Sequence, residues 1–416
     1  MRSLPSRLVL LSGSLALSAC AGGASSTATV GNAPTLDVRE AAFRAPFAAA
    51  GQNGSVSNPY PFAQGDSFTY AHRESHSEEE PGKPLTKVST TGSTTETIGA
   101  TTSFDGRQLT AVANVLTYTS VSNHGVTTTG STSTTDYETF AAVKSGLDYE
   151  NFGSTVSGNS NSSTGVTTTS ASTTTYAGGY LLNEIPELRG ASWNDEIGYT
   201  LSSQSSSTKA GVTTDGQTTF TRHENGTYTR TTTSTSGSVT TTETDTQEAN
   251  GSGEEQNSGS GTTTFSAPRV GAGGKFEITV VHTPLSGSQT TTIVPDWFPG
   301  NGPAGKLVSD ERKDEGTASV PAECGATAGQ QATVIRELFS ALDVVRGTYE
   351  TLSLDQFVVP GEGRVCGIQQ ELLNTYDNTG TGALLVSERT NLVNSLTSES
   401  IGQLRARHVV SGFGII

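Results

Sequence analysis

Several stretches of this chain carry residue types that could do chemistry. Gly300-Asn301-Gly302-Pro303-Ala304-Gly305-Lys306 satisfies both GxGxxG and the opening of a phosphate-binding loop. A phosphate cradle needs backbone N–H donors and a hydroxyl for magnesium. Pro303 has no N–H, Leu307 stands in the hydroxyl position, and no apolar strand and helix flank the stretch. It reads as a Gly/Pro loop. Asp377, Thr379, Thr381, Gly382 and Glu388 follow the spacing of a calcium loop, but two threonines replace ligands that should be carboxylates or amides. The expectation is a hairpin turn at Asp377-Asn378-Thr379-Gly380. His72, Glu74, His76 and Glu78 share one face of a strand, and imidazole with carboxylate is a zinc-binding pairing. They sit beside Glu79-Glu80-Pro81-Gly82, so a solvated strand end is expected. His124, His223, His282 and His408 are scattered, and the chain contains no GxSxG, SxxK or HExxH. These residues give the expectation of a protein that is not an enzyme, with no catalytic residue, no metal site and no cofactor.

The three cysteines divide into one and two. Arg2 and Arg7 precede an apolar stretch (Leu8 to Leu11, then Leu15 to Leu17) that is too short to span a bilayer. Leu17-Ser18-Ala19-Cys20 ends it. These four residues resemble the lipobox of bacterial lipoproteins: leucine, two small residues, cysteine. The resemblance implies diacylglycerol on the Cys20 sulfur, cleavage before Cys20 and acylation of the new amino group. Several acyl chains, at about 0.8 kcal/mol per buried CH2, make a stable anchor. Ala21 after the cysteine implies transfer to the outer membrane. No later run is apolar enough to cross a membrane as a helix. Subtracting Cys20 leaves Cys324 and Cys366, and an even pair in an oxidising compartment reads as one disulfide. The closed loop is worth about 4 kcal/mol on the chain-entropy model.

Composition bounds the rest. Of 416 residues 32% are hydrophobic and 15% charged, and Thr, Ser and Gly fill the difference. Threonine suits pleated strands, while Ser and Gly mark turns. Strands and disorder both remain open for the Thr/Ser tracts. The formal charge is −16, and loss of Arg2 and Arg7 with the signal would make it −18. Such a chain excludes nucleic acid and anionic headgroups as partners.

Residues 1–19 read as a signal peptide, 20–57 as a lipidated flexible tether with one short helix near 36–44, and 58–416 as a single large β domain. A division into two similar halves near 185–190 is the alternative. One element recurs: His124-Gly125-Val126-Thr127-Thr128-Thr129, Thr164-Gly165-Val166-Thr167-Thr168-Thr169 and Ala210-Gly211-Val212-Thr213-Thr214. Aromatics flank each copy: Tyr118 and Tyr137, Phe152 and Tyr176, Tyr199 and Phe220. Long hairpins are expected, with glycine at the tip, hydroxyl ladders along the arms and aromatics where the arms enter a core. Asn225-Gly226 predicts a type I′ turn. Residues 251–261 read as a loop, 276–281 as a strand, 295–300 as an aromatic turn plugging the core, and 333–345 as strand or helix.

A second resemblance concerns Gly65-Asp66-Ser67-Phe68-Thr69-Tyr70, Gly347-Thr348-Tyr349 and Pro360-Gly361-Glu362-Gly363-Arg364-Val365. These are similar to the GxxWxY opening, the VPAGTF segment and the APGVGxV return of various exported bacterial β proteins, with Phe for Trp and Glu for Val. The resemblance implies a curled antiparallel sheet. The fold class expected is all-β: an antiparallel meander of long Thr/Ser-rich hairpins curled into an open barrel or sandwich. The function expected is that of a non-catalytic outer-membrane lipoprotein, held to the membrane by its N-terminal lipid, with a structural or surface-interaction role toward a protein or cell-surface partner. A carrier of lipid or another apolar ligand is one alternative and an unrecognised hydrolase the other.

Overall fold

The computed structural model describes residues 64–79, 84–143, 146–185, 192–194, 197–267, 269–270, 276–284, 289–293, 309–343, 345, 348–359, 363–376 and 384–396. Within them the chain makes strand after strand: β1 (Ser67–Glu79), β2 (Thr86–Phe104), β3 (Arg107–Ser122), β4 (Thr127–Val143), β5 (Gly146–Ser162), β6 (Val166–Ile185), β7 (Ser192–Asn194), β8 (Tyr199–Lys209), β9 (Val212–Arg222), β10 (Tyr228–Ser236) and β11 (Val239–Gln247). The series continues with β12 (Gly253–Asn257), β13 (Gly261–Phe265), β14 (Arg269–Val270), β15 (Phe276–Thr283), β16 (Gln289–Ile293), β17 (Ser309–Ser319), β18 (Gln331–Asp343), β19 (Thr348–Val359), β20 (Gly363–Tyr376) and β21 (Leu384–Leu396). A 3-10 segment, Ala322–Thr327, interrupts the β17–β18 connection.

Every pairing is antiparallel. From β1 the sheet extends one way through β2, β3, β4, β5, β6, β8, β9, β10, β11, β12, β13, β15 and β16. It extends the other way through β21, β20, β19, β18 and β17, with β7 paired on the far side of β17. The last described strand therefore closes on the first, while β16 and β17 are not paired with each other among the described residues. The sheet is curled. Tyr228 on β10 donates its hydroxyl to Asp343 at the end of β18 (2.7 Å), and Val345 packs against the bare backbone of Gly253 on β12. The expected all-β meander, curled and open, is the fold observed.

Local chemistry explains the hairpins. Gly125, Gly165 and Gly211 all sit in tip turns with φ near +80°, a conformation that costs glycine no steric strain. The arms behind them are paired strands of mostly Thr and Ser, and the flanking Tyr118, Phe152, Tyr176, Tyr199 and Phe220 are buried. The recurring element thus folds as its sequence predicts except at Tyr137, which is half-buried on the other face, stacked on Phe104 at 4.0 Å.

Two expectations are corrected and one left open is decided. Asn225-Gly226 does not form a type I′ turn, which needs positive φ at both central residues. Only Gly226 has it (φ 83°), and the backbone bonds Gly226 N to His223 O (3.0 Å) and His223 N to Thr227 O (2.9 Å) close a longer loop. The Asn225 carboxamide prefers to accept from Thr227 N and Oγ1 (3.1 and 2.8 Å). Asp105-Gly106, with φ 46° and 74°, takes the I′ form instead. The 251–261 loop is in part β12, because the open edge of β11 offers ladder hydrogen bonds that outweigh weak propensity. The ambiguous 333–345 stretch lies mostly within a strand; Ala332, Thr333, Val334 and Ile335 are buried on both faces, which erased the alternating pattern.

Candidate functional site

Strand register sorts the side chains into two kinds of row. One row runs across nine strands as Ile98, Val112, Asp136, Ser154, Thr174, Leu201, Phe220, Arg230 and Asp245, the first residue being on β2 and the last on β11. Every member is buried. Displaced by one residue along the strands runs Thr97, Ala113, Thr135, Thr155, Thr173, Ser202, Thr219, Thr231 and Thr244, none of them buried. Because side chains alternate across a strand, these are the inward and outward faces of one sheet. A second outward row is Thr175, Thr200, Thr221, Thr229 and Thr246.

Toward the tips the hydroxyls take over both faces. Thr231–Thr244, Thr233–Thr242 and Thr235–Thr240 bond across β10 and β11 at 3.4, 3.4 and 3.1 Å, and Thr208–Thr213 does so between β8 and β9 at 2.9 Å. Ser205, Asp215 and Thr241 are exposed. These arms present a nearly uncharged sheet of hydroxyls to water.

The inward face forms a belt with two apolar clusters and a polar interior. Tyr176, Ile197, Tyr199, Leu201, Phe220 and Tyr228 make one cluster, with ring centroids 5.3 Å apart for Tyr199–Phe220 and for Phe220–Tyr228. The other joins Phe68, Tyr70, Ile98 and Val112 to Val320, Phe357, Val359 and Val365, around the Cys324–Cys366 disulfide. Both half-cystines are fully buried. The bridge ties the 3-10 segment to β20 across a 42-residue separation. The stretches that resemble the opening and return of exported β proteins meet here: Tyr70 donates to the Arg364 carbonyl at 3.4 Å.

Between the clusters lie buried charges. The Arg364 guanidinium pairs with Glu96 and lies over the Tyr70 ring, 5.4 Å from its centroid. Asp136 accepts from the carboxamides of Asn114 (3.3 Å) and Asn151 (3.4 Å), and Asn151 in turn accepts from Gly153 N (2.7 Å). Glu96, Asp136 and Glu138 are at most 5% exposed. Burial, then the charge of Glu138, pushes the Asp136 carboxyl well above the usual carboxylate range. Burial likewise raises the Tyr70 phenol. Further round the sheet Arg230 pairs with Asp245 and with Glu243 (2.7 Å). Burial raises the Asp245 carboxyl too, opposed by Arg230.

The sequence-predicted residues fall out as follows. Cys324 and Cys366 are bonded to each other. His72 is not on a solvated face: it is 2% exposed, its Nε2 is 3.8 Å from Glu74 and its Nδ1 has no hydrogen-bond partner. The face turns inward because Tyr70 and Phe68, two and four residues earlier, are core residues. Among the described residues no group of three or more His, Cys, Asp and Glu is arranged to hold a metal ion. His124 and His223 are exposed in turns, and His282 bonds Thr263 at 2.9 Å. Cys20 and the tether 20–57, residues 295–306, 377–383 and His408 lie outside the described residues. The Glu96, Asp136, Glu138 and Arg364 cluster was missed. Its polar members sit at alternate positions inside Thr-rich strands, the one signal that could have revealed them.

No family model matches the chain, and no curated protein does. Among solved structures, Pseudomonas aeruginosa OccK7 (OpdD) is 9% identical over 80% of this chain and 99% of that one, with a TM-score of 0.23. OccK11 (OpdR) of the same organism is 9% identical over 83% and 99%, at 0.22. The P. aeruginosa outer membrane protein opdK is 7% identical over 79% and 99%, at 0.22. At such TM-scores the likeness carries no argument about fold or function. Among the described residues no helix is long and apolar enough to cross a membrane.

Proposed function

We propose that this chain is a non-catalytic lipoprotein of the outer membrane, tethered through Cys20, whose hydroxyl-covered hairpin arms are its contact surface toward a protein or cell-surface partner. The observation that carries the reading is the outward row from Thr97 to Thr244. A strand sheet that spans a bilayer turns an apolar band outward and keeps polar residues inside. Here the alternation is reversed over β6 and β8–β11, with aromatics inside and threonines outside, and on β2–β5 the outward threonines are joined by Tyr137, stacked on Phe104 at 4.0 Å. Such a sheet belongs in water, so attachment to a membrane falls to the lipid on Cys20. The belt also argues against a carrier, because Phe68, Tyr70, Leu116 and Ile278 fill it with the protein's own side chains.

The test is metabolic labelling with an alkynyl fatty acid, followed by fractionation of wild type and Cys20→Ser. Wild type should take up the label and stay with outer membranes until detergent is added. Cys20→Ser should be unlabelled and soluble without detergent. Retention of Cys20→Ser in the membrane, requiring detergent for release, would contradict the reading.

A further inference from the structure

We propose that Asn225 and Asn250 are matched, self-reactive modification sites, each held unreactive by a clamp that the residue two places on closes over its carboxamide. Both asparagines are exposed, and both precede a glycine, Gly226 and Gly251. Such a pair can react with itself. The glycine amide nitrogen bonds to the asparagine Cγ, the Cγ–Nδ2 bond breaks, and the amide proton leaves with Nδ2 as ammonia. Water then opens the five-membered imide at either carbonyl, giving aspartate or isoaspartate. No reagent but water is consumed.

The two loops share one geometry. His223 N donates to Thr227 O (2.9 Å) and Gly226 N to His223 O (3.0 Å), while Glu248 N donates to Ser252 O (2.7 Å) and Gly251 N to Glu248 O (2.8 Å). The glycines have φ 83° and 81°. Asn225 Oδ1 accepts from Thr227 N and Oγ1 (3.1 and 2.8 Å). Asn250 Oδ1 accepts from Ser252 N and Oγ (2.9 and 2.7 Å). Ring closure is therefore opposed on both sides. The attacking nitrogen is tied through its proton to the carbonyl three residues back, and two donors fix the carboxamide it must reach.

The loop itself does not need asparagine. The β3–β4 tip repeats its backbone bonds, Ser122 N to Val126 O (2.9 Å) and Gly125 N to Ser122 O (3.0 Å), with His124 before the glycine. There the residue after the glycine is Val126, and at the next two tips it is Val166 and Val212. The hydroxyl at Thr227 and at Ser252 thus accompanies the reactive residue, not the turn. The setting gives the clamp a purpose. Isoaspartate lengthens the backbone by one carbon, three residues from Arg222, Tyr228 and Gln247, all of them buried.

The experiment incubates the full mature chain in mildly alkaline buffer, folded and in guanidinium, and follows ammonia loss at each asparagine by peptide mass spectrometry. Dividing the unfolded rate by the folded rate gives a protection factor. The ratio cancels what the hydroxyl does to the carboxamide in an unfolded chain. In wild type both factors should be about tenfold or more, because all three bonds at each site must open. Thr227→Val should lower the factor at Asn225 by about 2–10-fold, the worth of one hydrogen bond, and leave Asn250 unchanged. Ser252→Ala should do the reverse. No protection at either site in wild type, or factors that the variants do not move, would overturn the proposal. If Thr227→Val lowers both factors, the chain has opened more widely and Thr227→Ser decides: protection kept at Asn225 supports the clamp, and protection lost refutes it.

Discussion

Near the belt, β8, β9 and β10 pack Tyr199, Phe220 and Tyr228 ring against ring, with Leu201 beside them. A few residues further along the same strands, Ser205, Asp215 and Thr235 have water at hand. The backbone ladder is continuous through both regions. What differs is the partner of the side chains: other side chains in one region, solvent in the other. Hydrogen-bonded pairing can therefore carry a strand well beyond any core, through serine as well as threonine, with a positive-φ glycine to turn it back. The cost is that the arms add little to stability, so their sequence is free to serve contact with something else.

Substitutions can break or sharpen this contrast. The largest effect is expected for Phe220→Ala, which opens a cavity in the aromatic cluster and should cost about 3–5 kcal/mol in chemical denaturation. Joint replacement of Cys324 and Cys366 by alanine should cost about 2–5 kcal/mol, seen as a lower urea midpoint and a lower melting temperature. Asp245→Ala strands the buried Arg230 charge. The loss should be about 3 kcal/mol, at the low end for a broken buried pair because Glu243 stays bound to the guanidinium. Gly125→Ala forces a side chain to φ 78° at an arm tip and should cost about 1 kcal/mol. Thr233→Ala, in the middle of an arm, should change the midpoint by less than about 0.5 kcal/mol. A loss at Thr233 matching that at Phe220 would erase the distinction between belt and arm.

Much of this contrast was readable beforehand, because it is written locally. The Gly-Val-Thr copies, with aromatics about ten residues to each side, encode tip, arm and belt within one hairpin. The Cys324–Cys366 bridge followed from counting. What stayed hidden depends on pairing between distant segments. Glu96 and Arg364 are 268 residues apart, and nothing local to either announces that β21 closes on β1 and brings β20 beneath β2. His72 was misjudged for the same kind of reason. Its C-terminal neighbours are acidic and polar, but its face is set by Tyr70 and by the strands on either side. The Asn225-Gly226 turn failed more narrowly, since the Asn225 side chain found Thr227 as a donor and favoured a longer loop.

The central claim is that the outward face of these strands meets water while the chain is held at a membrane. The most direct test places one new cysteine on each face and treats unsealed outer-membrane fragments with a water-soluble maleimide. Thr219→Cys, exposed on the outward row, should be labelled rapidly, and Leu201→Cys, buried in the belt, should not. The native half-cystines are bonded and buried and should stay silent. Protection of Thr219→Cys from the water-soluble reagent, together with labelling by a lipid-soluble maleimide, would mean that the hydroxyl face lies in the bilayer, and the account would be wrong.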